Sequence, residues 1–305
     1  VRGGDPAAQN TGSGGDGGNY TDGGAGGSGI VVVRYKSSAN IASGGTVTSP
    51  TTGSAAGYRI HSFTDTANPG QFTITGDLTA SLTGNISGTN DLTLEADRGA
   101  ITLAGANDFG SSATTTAITG GTVNITGTLG SVSGSPAKAT FEAAIVNDGT
   151  LKLNSGNTQV LAGNITGDGK LVQAGSGTTI LTGLGNTYTG ATTISGGKLQ
   201  IGNGTDSGSL GGTGTVALSN SAGLVFKTGA SDTVTVGKNI SGNGTLQKLG
   251  DGTVQLTGTN TYSGSTTVSD GTLEVGAGGT SGTLGTGNIT IDSGAILSTN
   301  RSNGF

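Results

Sequence analysis

Residues 239–275 read NISGNGTLQKLGDGTVQLTGTNTYSGSTTVSDGTLEV, and this stretch decides the fold. Short runs of Thr, Val, Leu and Gln alternate in it with Gly-Asn-Gly, Gly-Asp-Gly and Ser-Asp-Gly. Such runs are typical of β-strands, and the tripeptides supply the positive φ angles of tight turns. The stretch therefore predicts short strands with apolar side chains in a narrow interior and Thr, Gln or Lys side chains in solvent.

The same pattern occurs three times in the chain. One signature is Asn-Ile-Ser/Thr-Gly, which begins at Asn85, Asn164 and Asn239, so the copies lie about 75 to 79 residues apart. The other is Asn-x-aromatic, in Asn107 with Phe109, Asn186 with Tyr188, and Asn260 with Tyr262. A repeat of this length predicts a solenoid. We expect each repeat to span about three coils of roughly 25 residues.

The predicted fold class is therefore all-β, a right-handed parallel β-helix over residues 76–305. With coils about 4.8 Å apart, this part would form on the order of nine coils and a rod about 40 Å long. A glycine-rich segment, residues 1–36, and a small β module, residues 37–75, precede it.

Composition supports a thin, extended core. The 305 residues include 64 glycines, and only 31% are hydrophobic and 4% aromatic. Because the net charge is −5 and no basic stripe is present, the composition excludes a typical nucleic-acid-binding protein. The lack of cysteine excludes a disulfide scaffold, a thiolate metal site and a thiol redox motif.

The glycine-rich segment ends in the apolar run Ile30, Val31, Val32 and Val33. The glycines before it suit either a flexible linker or closely packed glycine backbones. A strand that is apolar on both faces lies inside a sheet, and we expect its neighbours upstream of Val1. An exposed edge of this strand makes the run the candidate for assembly with other molecules.

In the module over residues 37–75, strands are predicted at 46–48, 58–63 and 71–74. Residues 26–35 and 57–64 read GGSGIVVVRY and GYRIHSFT. These two pieces resemble the glycine-rich domains of large bacterial surface proteins and phage-fibre proteins.

Residues 239–273 resemble the passenger-associated transport repeat of bacterial autotransporters. The copy at 167–201 is similar to it with one extra residue before Tyr188, and the copy at 88–125 is degenerate, with Phe109 as its aromatic residue. The resemblance covers somewhat over half of the chain. It implies a passenger β-helix that is exported to the bacterial surface.

Asn107 and Asn260 share the strand parity of the inward residues Leu103 and Leu256, and Asn186 reaches the same place only if the extra residue before Tyr188 bulges. A buried amide needs hydrogen-bond partners. We expect these three to bond backbone groups at the coil corners, with ligand binding as the alternative. Phe109, Tyr188 and Tyr262 are expected to stack along the rod or to cap its corners. Equivalent copies three coils apart would lie roughly 14 Å from each other.

We expect no catalytic, cofactor or metal site. His61 is the only histidine, and no Gly-x-Ser-x-Gly elbow precedes a predicted helix. Asp168, Asp251 and Asp270 occupy turn positions, where Asp commonly bonds its own backbone. A polysaccharide-cleaving β-helix would need clustered carboxylates on one strand face.

The function predicted from these observations is structural or adhesive. The chain would be a non-enzymatic stalk or filament segment of a secreted protein on the bacterial cell surface, in extracellular space. Its partners would be copies of itself, arranged head to tail or laterally, and cell-surface glycans. The alternatives are a polysaccharide-binding or polysaccharide-cleaving β-helix and a segment of a phage tail fibre.

Overall fold

The computed structural model of this chain describes residues 31–36, 42–43, 46–48, 58–63, 72–74, 79–82, 86–88, 91–96, 98–109, 111–133, 138–219 and 221–302. Most of the glycine-rich segment, with Ile30, lies outside the described residues, and so does Asn85. The described residues are all strands, turns and connections, so the all-β prediction is confirmed. They include no helix that could span a membrane.

The strands of the described residues, in chain order, are β1 Val31–Lys36, β2 Ala42–Ser43, β3 Thr46–Thr48, β4 Tyr58–Phe63, β5 Phe72–Ile74, β6 Thr79–Leu82, β7 Ser87–Gly88, β8 Leu92–Glu95, β9 Ala100–Leu103, β10 Ala106–Phe109, β11 Thr115–Ile118, β12 Thr122–Ile125, β13 Thr128–Leu129, β14 Ser131–Ser133, β15 Lys138–Phe141, β16 Ala144–Asn147, β17 Thr150–Leu153, β18 Gln159–Leu161, β19 Ile165–Thr166, β20 Lys170–Gln173, β21 Thr178–Leu181, β22 Thr192–Ile194, β23 Lys198–Ile201, β24 Val216–Leu218, β25 Gly223–Lys227, β26 Thr233–Val236, β27 Ile240–Gly242, β28 Thr245–Leu249, β29 Thr253–Leu256, β30 Thr266–Val268, β31 Thr272–Val275, β32 Ile289–Ile291 and β33 Ile296–Thr299.

The N-terminal strands pair antiparallel. β1, β4 and β3 form a three-stranded sheet in that order, and β1 pairs with β4 from Val31 opposite Phe63 to Lys36 opposite Tyr58. The expectation that β1 finds its neighbours upstream of Val1 is therefore wrong for one of its two edges. β2 pairs antiparallel with β5.

The rest of the described chain is a parallel β-solenoid of about nine turns, as predicted. Each coil passes three faces in a fixed order. The first face holds the ladder β5, β8, β11, β16, β19 and, further along, the ladder β26, β29, β31, β33. The second face holds β6, β9, β12, β17, β20, β22, β24 and β27. The third face holds β7, β10 and β13, followed by the nine-stranded ladder from β14 to β32.

Coil length varies around the predicted 25 residues. The shortest spacing between paired strands is 19 residues, from Thr253 to Thr272, and the longest is 29, from Thr115 to Ala144. Strand β5 already pairs in parallel with β8. The parallel ladder therefore extends ahead of residue 76, where the sequence pattern places its start.

The longest coil contains a hairpin. β14 pairs antiparallel with β15, with Ser131 opposite Thr140 and Ser133 opposite Lys138. Residues 131–133 are exposed, so β14 lies on the outside of the rod. Nothing in the sequence pattern predicts this hairpin.

A column of apolar side chains fills the interior. On the third face, Leu181, Ile201 and Phe226 pair in successive coils and are fully buried. Strand burial alternates accordingly, as in β12, β16, β17, β29 and β31. Because each such side chain contributes about 1.5–3 kcal/mol on burial, the stacked columns hold successive coils together.

The same column contains a lysine. Lys248 pairs with Phe226 below and Val268 above, and its side chain is fully buried. Gln159 and Gln173 are also buried. The expectation that Gln and Lys side chains of the strands lie in solvent is therefore wrong for these three residues.

Glycine is required at the end of the Asn-Ile-Ser/Thr-Gly signature. Gly167 and Gly242 have φ angles of 93° and 99°, in the left-handed region that disfavours residues with a Cβ. A Cβ on Gly242 would also collide with the Leu218 carbonyl of the coil below. At this position the chain turns and also lies directly against the coil below, and both conditions require glycine.

Equivalent strands of the three repeats lie on three different faces. β7, β19 and β27 carry the Asn-Ile-Ser/Thr-Gly signature, and they belong to the third, first and second face respectively. The strands that follow them, β8, β20 and β28, also lie in three separate ladders. A repeat therefore spans about three coils, as expected, but not a whole number of coils, since a whole number would return each copy to the same face.

Candidate functional site

The three asparagines predicted to point inward are buried. Their exposed fractions are 0% for Asn107, 6% for Asn186 and 3% for Asn260. Each lies at a corner where the next coil passes over an Asn-Ile-Ser/Thr-Gly signature. We call these three residues the clasp asparagines.

Each clasp asparagine accepts a hydrogen bond from the coil before it. The donor is in every copy the backbone N–H of the signature isoleucine. The three N–H to Oδ1 distances are 3.2 Å for Ile86 to Asn107, 2.7 Å for Ile165 to Asn186 and 2.9 Å for Ile240 to Asn260.

Each clasp asparagine also donates to the coil after it. The Nδ2 groups reach the carbonyl oxygens of Thr128, Ser209 and Thr283, at 3.3, 2.7 and 2.6 Å respectively. One amide side chain therefore connects three successive coils. A buried amide left without these partners would cost about 1–3 kcal/mol for each lost bond.

The asparagine that opens each signature has a different environment. Asn164 and Asn239 are exposed. Their Oδ1 atoms accept from the N–H of Gly185 at 2.9 Å and of Thr259 at 2.7 Å, one coil further on. These bonds join two coils at the surface.

The aromatic residues of the motif are buried but do not stack on one another. Tyr188 and Tyr262 are fully buried, and each hydroxyl hydrogen-bonds the threonine four residues on, Thr192 at 2.8 Å and Thr266 at 2.7 Å. Burial raises the pKa of both tyrosines above its usual value. Since the copies lie on different faces, the three aromatic residues do not form one stack along the rod. The alternative, that they cap its corners, stays a prediction.

Phe109 has a different partner. Its ring packs edge-on against Phe141, with the centroids 5.2 Å apart and the planes at 74°. Both rings lie in the core. Phe109 therefore fills the interior of the third face through a contact between two rings. The two tyrosines differ from it, because their hydroxyls bond to threonine hydroxyls.

Lys248 forms a site that the sequence pattern did not indicate. Its Nζ donates to the carbonyl oxygens of Leu249 at 3.0 Å, Gly250 at 2.5 Å and Asp270 at 3.2 Å. Burial lowers the pKa of the ammonium, while Asp270 and Asp251 act in the opposite direction. The one signal in the sequence is parity, since Lys248 shares its strand face with Leu246.

Lys238 makes a second contact of this kind. Its Nζ donates to the Gly214 carbonyl at 2.9 Å and lies 5.8 Å from the centre of the Tyr188 ring. Burial lowers its pKa as well. Lys238 therefore contacts both Gly214, in the loop before β24, and the ring of Tyr188 in the second repeat.

The acidic turn residues lie at the surface. Asp168, Asp251 and Asp270 are exposed, and Asp168 Oδ1 accepts from the Thr189 hydroxyl at 2.8 Å in the next coil. Asp251 and Asp270 lie in successive coils beside Lys248, and both act to raise the pKa of its ammonium. Within the described part of the chain, no group of three His, Asp or Glu residues is placed to hold a metal ion.

The aromatic side chains whose burial the structure describes are all inside the rod. They are Phe109, Phe141, Tyr188, Phe226 and Tyr262, with exposed fractions of 4% or less. Sugar recognition generally uses an exposed aromatic face. The described surface, which is mainly Thr, Ser, Asn and Gly, offers none at these positions.

The candidates for assembly lie in β1. Val31, Val32 and Val33 pair with Phe63, Ser62 and His61 of β4, and Ile30 lies outside the described residues. β1 is an outer strand of its sheet.

Comparison with known proteins finds a family model that two stretches of the repeats match. Residues 171–201 and 246–275 match the family model of the passenger-associated-transport-repeat. They fall in the second and third copies, and the degenerate first copy lies outside the matched ranges.

One similar protein is the adhesin BmaC autotransporter of Brucella suis biovar 1 (strain 1330). It is 34% identical over 153 residues, which cover 40% of this chain and 4% of that protein. The matched part thus spans a small fraction of the relative's length. No solved structure matches the chain. Together with the solenoid, these similarities support a β-helix that resembles the autotransporter passenger type.

Proposed function

From its passenger-type β-helix we propose that this chain is a structural and adhesive segment of a secreted protein on the bacterial cell surface. It acts as a stalk, without catalysis, in extracellular space. The similarity to an adhesin autotransporter supports the adhesive role. The observation that carries the stalk role is the set of clasp asparagines, each of which connects three coils.

A stalk needs hydrogen bonding that continues from coil to coil along its length. Backbone ladders run along the rod on all three faces, and a bending force on one coil is shared with its neighbours through the ladder and the clasp bonds. Because buried polar groups are costly to expose, opening a corner is unfavourable. A rod of this kind holds a binding surface at its far end away from the cell.

Adhesion is tested by display on a bacterial surface. Cells that carry the segment should be retained under flow on a panel of glycan-coated surfaces, and cells without it should wash off. The matched control carries Asn186→Ala and Asn260→Ala, which weaken the rod and leave the outer surface unchanged. Equal retention of bare and displaying cells on every surface would contradict adhesion.

The absence of catalysis has its own test. The purified chain should release no reducing sugar from the polysaccharides that retain the cells. Release at a steady rate, abolished by substitution of an acidic turn residue such as Asp168→Asn, would make the protein a glycoside hydrolase instead.

We include self-association in the proposal, with the outer edge of β1 as its contact. Among the described residues β1 pairs along one edge only, and an edge strand can recruit another strand. Val32→Lys should reduce association in sedimentation velocity, because a lysine on an edge strand blocks pairing. Thr267→Lys, on the outward side of β30, is the control. Equal association of both variants would exclude β1 as the contact.

A further inference from the structure

The three copies of the repeat advance around the rod in a regular way. The strand with the Asn-Ile-Ser/Thr-Gly signature lies on the third face in the first copy, on the first face in the second and on the second face in the third. The sequence of faces along a coil is first, second, third. Each copy is therefore displaced by one face in the direction of the chain.

The displacement follows from the number of sides in a repeat, where a side is one passage of the chain along one face. From β19 the chain passes β20, β21, the stretch 186–189, β22, β23, the stretch 209–212, β24, β25 and β26 before it reaches β27. The chain thus passes nine sides after β19 and reaches β27 at the tenth. The stretch 186–189 counts as a side because Thr187 N–H donates to Ile165 O at 2.9 Å, as a strand on that face would.

The first repeat gives the same count. From β7 the chain passes β8 to β12, then the third-face segment with β13, β14 and β15, then β16, β17 and β18, and reaches β19 at the tenth step. With three sides to a coil, ten sides are three coils and one face. Each repeat thus rises by about 16 Å, at about 4.8 Å for each coil.

The three faces accept the same motif. The bond from the isoleucine N–H to the clasp asparagine forms on the third face in the first copy, on the first face in the second and on the second face in the third. Burial also alternates in the same way in β16 on the first face, β17 on the second and β18 on the third. The packing of the interior therefore allows a repeat to begin on any of the three faces.

We propose that the repeat is a rotation unit. Removal or addition of one repeat turns everything that follows by one third of a turn about the rod axis, and three repeats restore the original side. The number of repeats then decides which side of the rod presents any binding surface further along. This goes beyond the proposed adhesive role and does not depend on it.

The test removes one repeat. A variant without residues 165–239 joins Asn164 to Ile240 and keeps the signature intact. Under the proposal β27 takes the place of β19, so Ser241 lies opposite Val146, where Thr166 lies in the full chain. Without rotation, Ser241 stays on the second face and lies opposite Lys152, where Val172 lies in the full chain.

Two cysteine pairs distinguish these outcomes, since the chain has no cysteine of its own. Neighbouring strands are about 4.8 Å apart, which is within the Cα separation that a disulfide bridges. In the deletion variant, Val146→Cys with Ser241→Cys should form a disulfide under mild oxidation, as shown by peptide mass spectrometry. A disulfide between Lys152→Cys and Ser241→Cys, with none in the first pair, would overturn the proposal.

The full-length chain supplies the control. There Ser241 lies opposite Ala217, so Ala217→Cys with Ser241→Cys should form a disulfide and Val146→Cys with Ser241→Cys should not. The reverse result would show that the third copy does not lie on the second face, and it would overturn the proposal at its premise.

A second deletion guards against failure at the first junction. Removal of residues 171–245 joins Lys170 to Leu246 and places Gln247 opposite Lys152 if the repeat rotates. Without rotation Gln247 stays on the third face, opposite Val160. The Lys152→Cys and Gln247→Cys pair should form the disulfide. If neither deletion regains the β-sheet circular dichroism of the parent, the repeat is not an interchangeable unit and the proposal fails.

Discussion

At the scale of single residues, the polar groups inside the rod decide its stability. The clasp asparagines satisfy backbone groups of neighbouring coils, and Lys248 neutralises three carbonyl dipoles at one corner. Strand parity in the sequence indicates that Asn107 and Asn260 point inward, and Asn186 does so only if the extra residue before Tyr188 bulges. It does not indicate their partners, because these lie one coil away in either direction.

Replacement of a clasp asparagine should be costly. Asn260→Ala leaves the Ile240 N–H and the Thr283 carbonyl without their side-chain partner, so we expect a loss of about 2–4 kcal/mol in the free energy of unfolding. Urea unfolding followed by circular dichroism measures it. The control, Asn239→Ala, loses one surface bond and should cost about 0.5–1 kcal/mol. Equal effects of the two changes would show that Asn260 is no clasp.

The buried tyrosines make stability depend on alkaline pH. Burial raises the pKa of Tyr188 and of Tyr262 in the folded state above the ordinary value of 10.0, so the folded chain holds these protons more tightly than the unfolded chain. The resulting stability is fully present below pH 10 and is lost as the pH rises through the folded pKa. Absorbance at the tyrosinate band should show both groups ionising together with loss of the β-sheet signal.

Tyr188→Phe and Tyr262→Phe serve as controls for this titration. The double variant keeps both rings in place and should lose the part of the alkaline transition that coincides with unfolding. If both tyrosines of the parent ionise while the β-sheet signal is intact, their burial in the folded state is contradicted.

At the scale of strands and turns, the local pattern predicts most elements. The strands around residues 46–48, 58–63 and 71–74 and those of the third repeat occur as expected, because alternation and turn residues are properties of a few adjacent positions. The pairing of β1 with β4 is not local, since it depends on which distant segment supplies the partner strand. The hairpin β14–β15 joins strands that are close in the chain, but it belongs to no part of the repeat pattern, so the pattern does not predict it.

A turn glycine should resist substitution. Gly242→Ala places a Cβ at a φ of 99° and against the Leu218 carbonyl, so we expect a loss of about 2 kcal/mol or more in stability. Gly279→Ala is the matched control, since a Cβ there meets nothing within 4 Å. Equal denaturation midpoints for the two variants would contradict the tight turn.

At the scale of the whole molecule, each coil is stabilised by its two neighbours. This nearest-neighbour arrangement is typical of solenoids, and it makes the coil with one neighbour the weakest. In the last described coil, Ile289 and Ile291 are 46% and 47% exposed. Their partners one coil earlier, Thr266 and Val268, are 1% and 0% exposed.

Hydrogen exchange should therefore be graded along the rod. We expect the amides of β32 and β33 to exchange faster than those of β21 and β23, by a factor of ten or more, because fewer contacts must open. Mass spectrometry of peptic peptides measures the rates. Uniform protection from β21 to β33 would show that the rod opens as a single unit.

The sequence by itself determined the all-β class, the solenoid, the repeat and the inward parity of the clasp asparagines. These follow from side-chain alternation and turn chemistry, which are local. Only the tertiary structure decided the face on which each copy lies, the inward course of Lys248 and the partner of β1. The reason is that the number of sides in a repeat depends on how many residues each corner takes up, and packing between coils sets that number.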